Sequence, residues 1–269
     1  MATARDRGEA VAAIAGQHVV KPGIGATWGG ARAVGILVIL MIVEACAPQP
    51  RSRFIQVLAN VPQTAPGTAW SGEKTVFESQ VLGHLRPGDR LLLVGVDASS
   101  YTDDPVFDAT LETASVLGAN ALDAKRQNRK VRQDAEAAFE QLHGSTAGHR
   151  TEIVSAILAA SQRFEGRPAA QNVLILESTG YEQSGVINMG DARLKLTQST
   201  IEATIDKIRR AGELPRLDGV RVCFAGITSG QGGWAASRRV VTIEAFWRAF
   251  FRAGGARLIS YGAALTNCL

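Results

Sequence analysis

Apolar residues fall along this chain in two alternating rhythms. Short, nearly continuous aliphatic runs recur at Arg53–Asn60 (RFIQVLAN), Leu91–Val96 (LLLVGV), Asn172–Leu176 (NVLIL), Val220–Ile227 and Arg257–Tyr261 (RLISY). Runs of that kind fit strands buried on both faces, as in a sheet covered by helices on each side. Between them lie longer stretches whose apolar residues gather on one helical face: Ser71–Leu85, Ala119–His143, Thr151–Phe164, Thr197–Arg210 and Thr242–Ala253. Ser71 and Thr151 stand where helix caps are favoured, and Gly212 with Pro215 closes the fourth stretch. Arg86-Pro-Gly-Asp89 reads as a turn, and Val106–Leu111 as a short edge strand. This alternation of strand and helix predicts an α/β fold, a doubly wound open sheet with helices on both faces.

The N-terminal part follows another pattern. Ala33–Val43 (AVGILVILMIV) is an uncharged run of 11 residues directly after Arg32. A helix needs about 20 apolar residues to cross a bilayer, so the run has the length of a secretory signal core instead. Val43-Glu44-Ala45-Cys46 and then Ala-Pro-Gln-Pro follow. This resembles a bacterial lipoprotein signal, with an aliphatic residue at −3, a small one at −1 and the lipid-accepting cysteine. Glu44 departs from the small residue usual at −2. The segment predicts a signal or anchor over 1–45, a lipidated Cys46 with a tether over 46–52, and a folded domain over 53–265. An uncleaved anchor and a buried core element are the other two readings.

Composition changes that picture little. The chain of 269 residues is 46% hydrophobic and 20% charged, with 28 glycines and 9 prolines, which excludes a fibrous or wholly disordered protein. Its 29 Lys+Arg against 25 Asp+Glu leave a net charge of +4 with both signs interspersed. The charged run KRQNRKVRQD reads as a solvated helix face. No basic run interleaved with stacking aromatics appears, so nucleic acid is not an expected partner. Three cysteines lack metal-ligand spacing. Cys223 reads as a small buried hydrophobe and Cys268 as a bystander close to the end of the sequence, with a disulfide between them not expected.

Ligands of open α/β sheets bind beyond the carboxyl ends of the strands. Here the corresponding loops are Val61–Gly67, Asp97–Pro105, Ser178–Asn188 and Thr228–Gly233. Gly67-Thr-Ala-Trp-Ser-Gly72-Glu-Lys74-Thr75 resembles a phosphate-binding loop, except that Glu73 separates glycine from lysine and sets a negative charge beside the anion. There is no Gly-x-Ser-x-Gly elbow, and His84, His143 and His149 read as helix-end or turn residues. No catalytic constellation is therefore expected.

As an ensemble, three stretches resemble the von Willebrand factor A-like domain, in the form carried by single-domain bacterial lipoproteins. They are Leu85–Ser100, Arg150–Ile157, and Gly219–Gly226 with Phe246–Gly255 and Tyr261-Gly262. The resemblance implies a mostly parallel sheet with one antiparallel edge strand. It also implies an adhesion site for Mg²⁺ or Mn²⁺, built from Asp-x-Ser-x-Ser, a threonine and an aspartate. The matching positions here are Asn60, Pro62, Thr64, Thr151 and Thr179, so both carboxylates are missing and the site is degenerate. Neutral oxygens alone offset the dehydration of Mg²⁺ poorly, and the expectation is no metal and no cofactor. Glu152 and Glu177 are the nearby carboxylates that would substitute if a metal were held, and Thr151 otherwise reads as a helix cap.

The resulting expectation is a membrane-attached lipoprotein of the cell envelope, facing the periplasm or exterior. It would be a non-catalytic interaction module whose partner is an envelope protein or complex. Trp70, Tyr101, Tyr181 and Trp234 are the candidate anchors on its rim. The competing expectation is a phosphate- or nucleotide-binding hydrolase using Gly67–Thr75 and Lys74.

Overall fold

The computed structural model describes residues 52–60, 67–96, 104–114, 120–144, 151–165, 171–191, 193–227 and 233–269. The expected signal or anchor segment 1–45, Cys46, Pro62, Thr64 and Tyr101 lie outside them. So do the side chains of Trp70 and Trp234, although both residues sit within helices.

Six strands form one sheet: β1 (Arg53–Asn60), β2 (Arg90–Val96), β3 (Phe107–Thr110), β4 (Gln171–Glu177), β5 (Arg221–Ala225) and β6 (Arg257–Tyr261). Their order is β3-β2-β1-β4-β5-β6. Every neighbouring pair is parallel except β2–β3. The chain winds outward from β1 in one direction to β2 and in the other to β4, so the strand order reverses between β1 and β4. This is the doubly wound, mostly parallel sheet, with its single antiparallel edge strand falling inside the predicted Val106–Leu111.

The helices are α1 (Gly67–Val76), α2 (Ala121–Gly144), α3 (Ile153–Phe164), α4 (Gln198–Arg210) and α5 (Gly233–Ala253). One π-helical turn, Phe77–Val81, and one tighter turn, Leu82–His84, extend α1 toward β2. Strand alternation divides the side chains between two cores. Phe54, Leu58, Leu174, Leu176, Val222 and Phe224 face α3, α4 and α5. Ile55, Val57, Ala59, Val173, Ile175 and Cys223 face the opposite way, toward the α1 extension and α2. Phe77 and Phe139 stack there with ring centroids 4.3 Å apart. Both faces are covered, which is why the strands read as unbroken apolar runs.

The helix beginnings differ from their predicted positions. Ser71 lies inside α1, which starts at Gly67. α5 starts at Gly233, well before the predicted Thr242. Thr151 is not the cap of α3: Glu152 occupies that position and its side chain makes no capping bond. Thr197, the first residue of the predicted fourth helical stretch, does cap α4, its hydroxyl accepting the Thr200 N–H at 3.2 Å.

Two further features tie the sheet together. Arg53 and Asp89 form an ion pair at 2.6 Å, their side chains only 3% and 2% exposed. Asp89 also accepts the backbone N–H groups of Arg53 (3.0 Å) and Arg86 (2.7 Å). The Arg-Pro-Gly-Asp turn thus locks the start of β1 to the entry of β2. Cys223 and Cys268 form a disulfide, contrary to the expectation of two independent thiols. The segment after β6 folds back over the sheet: Cys268 is 2% exposed, Leu265 and Leu269 pack on the α1/α2-side core, and the Leu265 N–H donates to Gln80 Oε1 at 2.6 Å. The fold therefore continues past the predicted boundary at residue 265.

Candidate functional site

The reversal of strand order brings the ends of β1 and β4 together, with Ala59 in register with Glu177. Alternation then sorts the side chains at this rim onto two faces. Asn60 continues the row of Phe54, Gln56 and Leu58 toward α3, whereas Glu177 continues the row of Val173 and Ile175 toward α1.

On the α3 face, the Thr151 hydroxyl donates to Asn60 Oδ1 at 3.5 Å. The Thr151 carbonyl accepts the Gln183 N–H at 2.9 Å, which fastens the 181–189 loop to the start of α3. That loop is a small hairpin closed by a Gln183–Asn188 bridge, and its Ile187 and Met189 belong to the core. Arg239 on α5 holds it from the other side through the carbonyls of Met189, Asp191 (2.9 Å) and Leu194 (3.1 Å). The Trp247 indole donates to the Gly180 carbonyl at 2.9 Å, with Gly180 at φ +76° beside the Tyr261 hydroxyl. A loop held at so many points is a preformed surface. Tyr181 is half-buried on it, and Thr179 is exposed at its entrance.

Glu182, fully buried, supplies what α3 lacks at its N-terminus: its Oε2 accepts the Val154 N–H at 3.0 Å. Burial pushes its carboxyl up to about 7, against the lowering effect of Ser184 and the first amides of α3. Sequence reasoning missed this role. With Thr151 read as the cap, no signal pointed to it; the structure puts Glu152 at the cap without a capping bond, so the first N–H groups of α3 need an acceptor from elsewhere.

On the α1 face, Glu73 and Glu177 form a buried acidic pair. Among the described residues neither carboxylate oxygen of Glu177 has a hydrogen-bond partner, and the residue is 1% exposed. Burial first, and then the neighbouring Glu73, hold its carboxyl well above the usual carboxylate range. Glu73 packs against Gly226, where an added Cβ would lie 3.4 Å from its Oε1. Burial raises Glu73 to about 8. Burial favours the protonated form of both groups, the less costly state for a carboxyl removed from water.

This arrangement makes stability depend on pH. The folded pKa of Glu73 lies above its unfolded value, so its burial costs nothing extra while both states are protonated, below about pH 4.5. Stability then falls with rising pH up to about 8, at most by about 1.4 kcal/mol per pH unit for this one proton. Melting temperatures between pH 5 and 8 are expected to decline in the native protein, and Glu73→Gln is expected to flatten the decline and raise stability at pH 8. An unchanged slope in the variant would show that Glu73 is not the group responsible.

The adhesion-site chemistry does not fit these residues. On the α3 face the available oxygens, Asn60 Oδ1 and Thr151 Oγ1, are neutral, and Ser178 Oγ already accepts the Gly180 N–H at 3.1 Å. Glu182 is engaged by α3, Glu177 points to the other face, and Glu152 accepts the Ser155 hydroxyl at 3.3 Å. Among the described residues no group of three or more His, Cys, Asp or Glu side chains could hold a metal ion. A hard cation that favours carboxylate ligands and sheds water reluctantly finds no such set among the described residues.

Nor does Gly67–Thr75 form a phosphate-binding loop. The segment is helical, so its amides are directed along α1. Lys74 is taken up by Glu140, by Glu78 at 3.3 Å and by Glu136 at 3.7 Å, and its hydrogen bonds to Glu140 and Glu78 favour the charged form.

No family model matches the sequence, and no curated protein matches it. Among solved structures, the chain is similar to a mutant of the PilB minor pilin from Streptococcus sanguinis. The identity is 11% over 82% of this chain and 59% of that one, with a TM-score of 0.44. The chain thus spans about 59% of that pilin's length. It is also similar to an aerotolerance-related membrane protein from Bacteroides fragilis, with 11% identity over 80% of this chain and 92% of that one, and a TM-score of 0.37. A third similar structure is the pilus adhesin SpaC from Lactobacillus rhamnosus GG, with 14% identity over 74% of this chain and 27% of that one, and a TM-score of 0.39.

Proposed function

We propose that the chain is a non-catalytic protein-interaction module of von Willebrand factor A-like type, held in the cell envelope by an N-terminal lipid on Cys46. The observation that carries this reading is the rim at the β1/β4 reversal. It presents a braced, preformed loop, while its carboxyl groups are buried or engaged and the donor set of the adhesion site is reduced to neutral oxygens. Recognition there rests on shape, aromatic contact and backbone hydrogen bonds, not on a cation bridging to the partner's carboxylate.

The Cys223–Cys268 disulfide supports an extracytoplasmic setting, because such bonds persist in oxidising compartments and are rare where thiols are kept reduced. The signal-like run 33–43 and Cys46 point the same way. The partner is an envelope protein or complex meeting the rim around Tyr181, with Trp70, Tyr101 and Trp234 as further anchors. The hydrolase alternative loses its support with the helical Gly67–Thr75 segment and the ion-paired Lys74.

Photocrosslinking in native membranes tests the interaction. A photoreactive residue at Tyr181 is expected to give a discrete adduct, and one at exposed Lys125 on α2, across the sheet, is expected to give none. Equal labelling from both positions, or from neither, would reject the rim. The anchor is tested separately: Cys46→Ser should leave an unprocessed, larger chain, and an unchanged size and membrane fraction would remove the lipoprotein reading.

A further inference from the structure

At the edge of the sheet opposite the rim, α4 and α5 end side by side above the starts of β5 and β6. Backbone bonds close both helices. Gly212 N–H donates to Arg209 O (3.1 Å) and Glu213 N–H to Ile208 O (3.1 Å), while Gly255 N–H donates to Arg252 O (3.2 Å) and Ala256 N–H to Phe251 O (2.9 Å). Terminal carbonyls at these positions are thus met by the main chain and do not need the last-turn arginine side chains. The loop between α4 and β5 is held against α5, with Leu217 N–H on Gly254 O at 2.8 Å and Gly254 so close to Pro215 that a Cβ would lie 2.7 Å from its carbonyl oxygen.

A cleft of about 530 Å³ opens between these elements, lined among others by Arg209, Arg216, Arg252, Leu214, Pro215 and Asp218. Arg209 pairs with Asp206. Arg216 and Arg252 are exposed, and their guanidinium groups make no hydrogen bond or ion pair among the described residues. Asp218, the one carboxylate in the lining, is turned against Gly255. Each helix C-terminus opposes an anion with about half a charge, and Asp206 and Asp218 offset two of the three guanidinium groups, so the positive excess at this edge depends also on Arg221 and Arg257 at the strand starts. A guanidinium fork matches the oxygens of a phosphate in pairs, and the walls of this cleft are fixed by backbone contacts.

The cleft also lies where the chain enters the domain. Arg53 is in register with Gln171, Val173 with Arg221, and Arg221 with Arg257, so β1, β4, β5 and β6 all start along this edge. Ser52 therefore precedes the sheet two strands from β5, about 10 Å away. Only Ala47–Ser52 separates Cys46 from β1, a reach of about 20 Å at full extension. A lipid on Cys46 would bring this edge against the bilayer, with Arg221 and Arg257 at its strand starts adding to the positive charge.

We propose that the Arg209–Arg216–Arg252 cleft binds the phosphate of an anionic phospholipid headgroup, seating this edge of the sheet on the membrane and turning the rim away from it. The inference rests on the membrane-anchored reading above. The probe is the full-length chain mixed with phosphatidylcholine vesicles, with or without phosphatidylglycerol, and separated by flotation. The apolar run 33–43 contributes equally to both vesicle types, so the ratio of the two partition coefficients isolates the headgroup. That ratio is expected to fall about 30-fold in Arg216→Gln/Arg252→Gln, at about fivefold per arginine. It should hold in Arg126→Gln/Arg129→Gln, which removes the same charge from α2. A ratio near one in the native protein, or equal ratios in the two double variants, would overturn the proposal. Phosphate competition in solution without any vesicle preference would also overturn it, by assigning the cleft to a free oxyanion. These outcomes do not depend on lipidation, which Cys46→Ser reports independently.

Discussion

Asp89→Ala is expected to cost about 3–5 kcal/mol of folding stability, because it leaves the Arg53 guanidinium buried and unpaired at the start of β1. For a domain of this size that corresponds to a melting temperature lower by roughly 10 °C. The substitution also strips acceptors from the Arg53 and Arg86 N–H groups, so the turn before β2 loses its lock at the same time. Replacing both partners by apolar residues, as in Arg53→Met/Asp89→Leu, should recover part of the loss, since no bare charge then remains inside. The Arg53 Nη2 bond to the His84 carbonyl, at 2.7 Å, is lost in that variant, and recovery is therefore incomplete. Thermal unfolding of the three proteins decides the matter. A cost below about 1 kcal/mol for Asp89→Ala would mean that water reaches Arg53 freely.

Opening the Cys223–Cys268 disulfide should be nearly as damaging. The bond spans a sequence separation of 45, and closing a loop of that length in the unfolded chain is worth about 4 kcal/mol on the chain-entropy account. Cys268→Ser is expected to lower the melting temperature by roughly 10 °C under non-reducing conditions and to abolish any further effect of reductant. Cys223→Ser should be worse, because it also sets a hydroxyl inside a fully buried strand. If reductant leaves the native protein's melting temperature untouched, the segment after β6 contributes little beyond its own local packing.

The architecture could be read from the sequence because burial on both faces writes itself as unbroken aliphatic runs. LLLVGV and NVLIL could hardly be anything but interior strands, and the weakly patterned Val106–Leu111 reads as an edge. The start of α5 escaped because Gly-Trp-Ala-Ala-Ser-Arg-Arg carries no apolar period, although the segment folds as helix. The disulfide escaped for another reason: it pairs the middle of β5 with a segment that must first fold back along the sheet, and chain distance says nothing about that. At the rim, the degenerate donor positions were visible as residue types. Their division between two faces was not drawn, though Val173, Ile175 and Glu177 continue one alternating row. A carboxylate extending an apolar row is the mark of a buried acid. Glu73 gave no such mark, because its burial depends on the approach of Gly226 from β5.

The segment after β6 closes one face of the sheet, and this has a consequence in time. Leu265, Cys268 and Leu269 cover the part of the sheet holding Cys223, so β5 has one open side until residue 269 has been made. A growing chain therefore passes through a stage in which its central strands are paired but still sticky on that side. The domain cannot mature strand by strand. Its completion waits on the closing segment, and on whatever oxidant joins Cys268 to Cys223.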